Sequence, residues 1–197
     1  MNMWTEDLVL PEELRKERLQ KEPASYTAWI LGKSGKTQEK KRKAVIICPG
    51  GGYEHLSPRE GEPIAMKYLA MGYHVFVLHY SLAPERFPTA LRELALLTAK
   101  IREHADEWRI DSEGIIVSGF SAGGHLALSL GVHWDKEWLS GPLPKSERFS
   151  PEPSGLLRYA IKTQEAYGNR PAFQEKSTLS AFPFLPSRAP GSSAPLP

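Results

Sequence analysis

The sequence predicts an α/β fold, with a doubly wound, mostly parallel sheet flanked by helices. Three observations carry this expectation. Short apolar runs at 44–48 (AVIIC), 73–78 (YHVFVL) and 114–118 (GIIVS) read as strands covered on both faces. Segments with helical apolar spacing separate them. A glycine-rich turn at 119–123 (GFSAG) joins the last of these strands to a helix of small residues. Strand–helix alternation of this kind argues for parallel strands joined by right-handed crossovers.

The elements follow in order. Residues 1–24 are charged and polar, with one short helix expected around 12–21 and a thin apolar face. Residues 25–31 (SYTAWIL) read as a strand, and 32–43 (GKSGKTQEKKRK) as a solvated connection. The strand at 44–48 ends in Pro-Gly-Gly-Gly. A helix is expected at 62–71, with Ile64, Ala65, Tyr68 and Leu69 on one face and Gly72 as its terminating glycine. The strand at 73–78 follows. A longer helix begins near Pro88, and Leu91, Leu94, Leu97 and Ile101 form its inner stripe. After the strand at 114–118 comes a helix over about 122–132. Residues 156–161 (LLRYAI) offer one more strand. Five prolines among the last fifteen residues argue for an extended tail. The expected organisation is a polar segment at 1–24, an α/β domain at 25–173 and a tail at 174–197.

Composition excludes several classes. A length of 197 residues with 41% hydrophobic and 24% charged residues suits one globular domain. A net charge of +2 calls for neither nucleic acid nor an anionic membrane. The basic run at 40–43 lacks interleaved aromatics, so nucleic-acid binding is not expected. One cysteine, Cys48, cannot form an internal disulfide. No basic-then-apolar leader opens the chain, and no apolar run reaches the roughly 20 residues of a membrane span. A cytoplasmic protein is the expectation. No His, Cys or Asp cluster has metal-ligand spacing, so neither metal nor cofactor is implied. Residues 32–37 (GKSGKT) share part of a phosphate-binding loop, but Ile30 stands where that loop needs glycine.

The chemistry lies in two motifs. Gly119-Phe120-Ser121-Ala122-Gly123 fits G-x-S-x-G, in which glycines two residues either side of the serine allow a very tight turn. Such a turn lifts the Ser121 hydroxyl above the sheet and sets it at a helix N-terminus, where negative charge is favoured. Seventy residues earlier, Pro49-Gly50-Gly51-Gly52-Tyr53 follows a buried strand. Acyl transfer builds negative charge on a carbonyl oxygen, and backbone N–H donors aimed in advance stabilise it. Glycines let the backbone approach without a side chain in the way.

With these motifs in view, residues 43–133 resemble the acetyl-esterase and carbohydrate-esterase branch of the α/β-hydrolases, the BD-FAE or hormone-sensitive-lipase-like families. Pro49 stands where hormone-sensitive-lipase-like enzymes have histidine, which points to the acetyl-esterase side. The D-Y-R-L-A-P-E stretch of the family appears as His79-Tyr80-Ser81-Leu82-Ala83-Pro84-Glu85. The resemblance implies an α/β-hydrolase sheet and hydrolysis of small carboxylic esters, of short acyl or acetyl groups including acetylated sugars. It implies an acyl-enzyme on Ser121 and oxyanion donors at Gly51, Gly52 and Ala122.

The acid and histidine of the triad follow the serine in this family. After Ser121 the chain has only His125, His133 and Asp135, and no histidine beyond Trp134. His125 lies one helical turn past the serine and reads as a locally bonded helix residue. His55 follows the glycine loop; His74, His79 and His104 read as structural. The triad acid and histidine are therefore not assigned. The sheet is expected to be incomplete at its C-terminal edge, through a truncation or frameshift near residue 174. The competing expectation is a non-catalytic hydrolase-like fragment. Nothing in the sequence fixes an oligomeric state.

Overall fold

The computed structural model describes residues 1–32 and 41–140 and the backbone of strand 158–162. The expected tail, the boundary at 173 and the basic connection through residue 40 lie outside the described residues. Met1–Ala166 forms one compact unit.

Among the described residues six strands make one sheet: β1 (Asn2–Leu8), β2 (Ala24–Ile30), β3 (Arg42–Cys48), β4 (His74–His79), β5 (Ile110–Phe120) and β6 (Arg158–Lys162). Their order is β1-β2-β4-β3-β5-β6. β2 pairs antiparallel with β1 and β4, while β4, β3, β5 and β6 run parallel. Strand period decides the layering. Val45, Ile47, Val75 and Val77 face one way and pack with Ala65 and Leu69 of α2 (Glu62–Ala70). Ala44, Ile46, Phe76 and Leu78 face the other way. There they meet Leu91, Leu94 and Leu97 of α3 (Thr89–Glu103) and Leu126 and Leu130 of α4 (Ala122–His133). Strands apolar on both faces thus carry helices on both faces, as expected.

α2 ends as its sequence directs. Gly72 has φ +89°, its N–H donates to the Leu69 carbonyl at 2.9 Å, and Tyr73 N–H donates to the Tyr68 carbonyl at 3.1 Å. This is the paired 5→2 and 6→1 bonding of a glycine-terminated helix. β5 starts earlier than expected because Ile110 already pairs with Arg42; the register then jumps, so that Ile115 pairs with Ala44.

The N-terminal residues depart from expectation. The charged stretch leads one to expect a short helix around 12–21, yet Asn2–Leu8 is a strand of the sheet. Trp4, Glu6 and Leu8 alternate towards the core. Glu6 occupies an inward position because Tyr26 Oη donates to it at 2.6 Å and Lys100 pairs with it. The helix α1 covers only Glu12–Arg15. Turn-like bonds continue from Glu17 and Arg18 N–H to the Leu14 and Arg15 carbonyls, after which the Leu19 and Gln20 N–H groups donate to the Glu85 carboxylate, at 2.8 and 2.7 Å. A further short helix, α5, spans Glu137–Ser140.

Candidate active site

β5 runs directly into Ser121, whose backbone has φ +48° and ψ −117°, and α4 begins at the next residue. A non-glycine residue with positive φ is strained, by about 1–3 kcal/mol, and persists only where its surroundings fix it. The two flanking glycines show what fixes it. A Cβ on Gly119 would overlap the Gly123 carbonyl, and a Cβ on Gly123 would overlap the Cys48 carbonyl at the end of β3. The first turn of α4 therefore lies against two strand ends at a separation only glycine permits. Ser121 is exposed, and its hydroxyl makes no capping bond to the helix it precedes. Ala122 N–H is among the first four donors of α4, which have no partner within the helix.

The glycine loop lies alongside. A Cβ on Gly50 would sit 2.7 Å from the Phe120 carbonyl and 3.1 Å from Ser121 Cβ. The loop is held through groups other than Gly52. Tyr80 Oη donates to the Pro49 carbonyl at 2.6 Å, and Gly50 N–H donates to Glu60 Oε2 at 2.9 Å. The Gly51 carbonyl accepts from Glu54 and His55 N–H. Gly51 and Gly52 have φ of +132° and +67°. Gly52 N–H has no acceptor among the described residues. The three donors expected from the sequence thus belong to the two segments that meet at Ser121: Ala122 follows it directly, and Gly51 and Gly52 follow Gly50, which lies against it.

The histidines are mostly engaged elsewhere. His125 Nδ1 lies 2.9 Å from Tyr53 Oη, tying α4 to the glycine loop. Burial pushes the Tyr53 hydroxyl up to about 12, so it stays neutral at ordinary pH. His74 Nδ1 accepts the Leu31 N–H at 3.1 Å, and burial, with the Arg42 charge, lowers its pKa to about 4. His79 is 3.0 Å from Thr27 Oγ1, and burial lowers its pKa too. His104 stacks on Trp108, and His133 packs against Phe87 and Trp138. His55 is exposed after the glycine loop. Among the described residues no histidine pairs with a carboxylate. Nor does any cluster of three His, Cys, Asp or Glu form there that could hold a metal. Of the glutamates after Ser121, only Glu137 lies within the described residues.

A cavity of about 410 Å³ opens beside α4, between Tyr53, His125, Leu126 and the residues that follow β4, among them Phe87 and Leu91. A larger hollow of about 600 Å³ lies between β1 and the end of α3, around Trp4, Lys100 and Trp108, and includes none of the expected site residues. Size alone would select the second; proximity to Ser121 selects the first.

The sequence pattern of the BD-FAE family matches residues 33–158, well over half of the chain. The chain belongs to the BD-FAE family. Curated relatives of this BD-FAE chain include endo-1,4-beta-xylanase B of Butyrivibrio fibrisolvens, 32% identical over 132 residues. That alignment covers 64% of this chain and 20% of the relative. Acetylxylan esterase of Xylanibacter ruminicola is 31% identical over 86 residues, 43% of this chain and 18% of the relative. Among solved structures, an α/β hydrolase enzyme from a Medee basin deep-sea metagenome library is 35% identical with a TM-score of 0.55. It is matched over 65% of this chain and 50% of its own. The chain thus spans a fifth or less of these curated relatives and half of this solved structure. The α/β-hydrolase fold and the ester-hydrolase family agree with the expectation from sequence.

Sequence reasoning missed the charged cluster behind the cavity. Glu93 on α3 is fully buried and accepts from Ser81, N–H at 2.8 Å and Oγ at 2.5 Å. Burial raises its pKa, although the Ser81 bonds and the Arg18 charge oppose the rise. One signal was available: a glutamate beside Leu91 and Leu94 on the inner stripe of a helix.

Proposed function

We propose that this chain hydrolyses small carboxylic esters through an acyl-enzyme on Ser121. The observation that carries the reading is the conjunction at Ser121. An exposed, uncapped hydroxyl on a strained backbone stands at a helix N-terminus, with a glycine loop beside it. Ser121 Oγ attacks the ester carbonyl and its proton passes to a base. The N–H groups of Gly51, Gly52 and Ala122 hold the oxyanion. Collapse of the tetrahedral adduct expels the alcohol, and water then releases the acid from Ser121. The substrate class is short acyl or acetyl esters, acetylated sugars included, supported by the relative named acetylxylan esterase. The setting we propose is cytoplasmic, with no nucleic-acid or membrane partner. It is in keeping with one buried cysteine and with no helix, among the described residues, long and apolar enough to cross a membrane.

The competing reading is a hydrolase-like chain that does not turn over. It is favoured by the lack, among the described residues, of a histidine–carboxylate pair near Ser121. A site with only a serine and oxyanion donors runs orders of magnitude below a full triad. Hydrolysis of an aryl acetate by the purified chain separates the two. The first reading expects a rate that Ser121→Ala removes; equal rates for both proteins overturn it.

A further inference from the structure

Residues 81–88 follow β4 and wall the cavity with Ser81, Glu85 and Phe87. On its inner side this turn is tied to the glycine loop, since Ala83 N–H donates to the Tyr53 carbonyl at 2.7 Å. Tyr53 in turn meets His125 on α4. On its outer side the turn is tied to residues more than sixty positions away. Arg18 Nη2 donates to Ser81 Oγ at 2.9 Å and to the Glu22 carbonyl at 2.8 Å. Gln20 Nε2 donates to the Ala83 carbonyl at 3.3 Å, and the Leu19 and Gln20 N–H groups share Glu85 Oε1. The guanidinium lies 3.6 Å from the Glu85 carboxylate and 3.7 Å from that of Glu93. The three side chains are 5%, 3% and 0% exposed. One buried cation therefore stands between two buried carboxylates, where its loss leaves them facing each other. Ser81 stands where the resembling D-Y-R-L-A-P-E stretch carries arginine, and its hydroxyl accepts from Arg18.

We propose that Arg18 is a positioning residue for the substrate. It locks the 81–88 turn so that the cavity between that turn and α4 receives an apolar substituent of an ester whose carbonyl lies at Ser121. Phe87, Ala90, Leu91 and Leu126 give that cavity its apolar lining. This assignment rests on the Ser121 hydrolase reading for the placement of the carbonyl. The apolar substituent belongs to either the acyl or the alcohol side, and two substrate series tell them apart.

The test compares the wild type with Arg18→Gln and Arg18→Lys. One series is aryl acetate, butyrate and hexanoate; the other is methyl, butyl and hexyl acetate. In Arg18→Gln, the KM of the longest member of one series rises at least tenfold, with kcat within twofold and the shortest member unaffected. Arg18→Lys recovers most of the loss. A purely structural role lowers the melting temperature and leaves the dependence on chain length unchanged, which overturns the proposal. Equilibrium binding of two inert amides, hexananilide and N-hexylacetamide, gives a readout without turnover. If the wild type hydrolyses nothing but Arg18→Gln binds one amide tenfold more weakly, Arg18 keeps its role and the hydrolase reading fails. If hydrolysis depends on Ser121 while neither KM nor amide affinity moves, only the Arg18 proposal fails. A wild type that neither hydrolyses nor binds contradicts both. Should Arg18→Gln fail to fold, the double variant Arg18→Gln/Glu93→Gln removes one charge of each sign and is held to the same outcomes.

Discussion

Around Ser121 the geometry is held by backbone packed on backbone. Gly119 and Gly123 let α4 touch the ends of β5 and β3 through backbone contacts, and one carboxylate, Glu60, enters only at the neighbouring Gly50 N–H. Around Arg18, on the far wall of the neighbouring cavity, charged side chains from three separate stretches of chain hold the geometry. The first region resists change through sterics and is local in sequence. The second depends on ionisation and reaches across more than sixty residues. A rigid turn suits the placement of a reacting atom, whereas an ion cluster sets the shape of a wall.

The contrast can be broken in order of expected effect. Gly123→Ala drives a methyl group into backbone that cannot move aside. It is expected to lower the free energy of unfolding in urea by at least about 3 kcal/mol, the upper range for overpacking. A loss below about 1 kcal/mol means that α4 can shift and the turn is not sterically fixed.

Glu93→Gln addresses the other region. It sets an amide NH2 where a Glu93 oxygen accepts from Ser81, and this mismatched donor is expected to cost about 1–3 kcal/mol. Its pH dependence sharpens the comparison. Burial raises the folded pKa of Glu93 above the ordinary 4.5. The unfolded chain therefore releases this proton first as pH rises. The contribution is fully present below about 4.5 and is lost as pH climbs through the folded value. Urea unfolding across pH should show that slope in the wild type and not in Glu93→Gln. Equal slopes remove Glu93 as its source.

The smallest effect is expected where the two regions meet. Tyr53→Phe removes one exposed hydrogen bond to His125 and should cost about 0.5–1 kcal/mol. Thermal unfolding checks this, and a larger loss would mean that the link carries more of the fold than its exposure suggests.

Legibility in the sequence follows the same division. Strands at 44–48, 73–78 and 114–118 and the helices between them appear within a few residues of where apolar period places them, because both faces of those strands are covered. The Ser121 turn was legible because its constraint falls on adjacent glycines. β1 was not legible, since Glu6 interrupts its inward apolar positions and is accommodated only through Lys100 and Tyr26. Arg18 and Glu93 were not legible as partners, because nothing in either stretch marks the other. Glu60, which anchors Gly50, left no signal either.

The central claim is that Ser121 is the nucleophile, and covalent labelling tests it most directly. The purified chain is treated with a small fluorophosphonate, and its intact mass and peptide map are recorded beside Ser121→Ala. The account predicts one phosphonyl adduct per chain, on Ser121, and none on the variant. No adduct on the wild type, or an adduct that persists in Ser121→Ala, would contradict it.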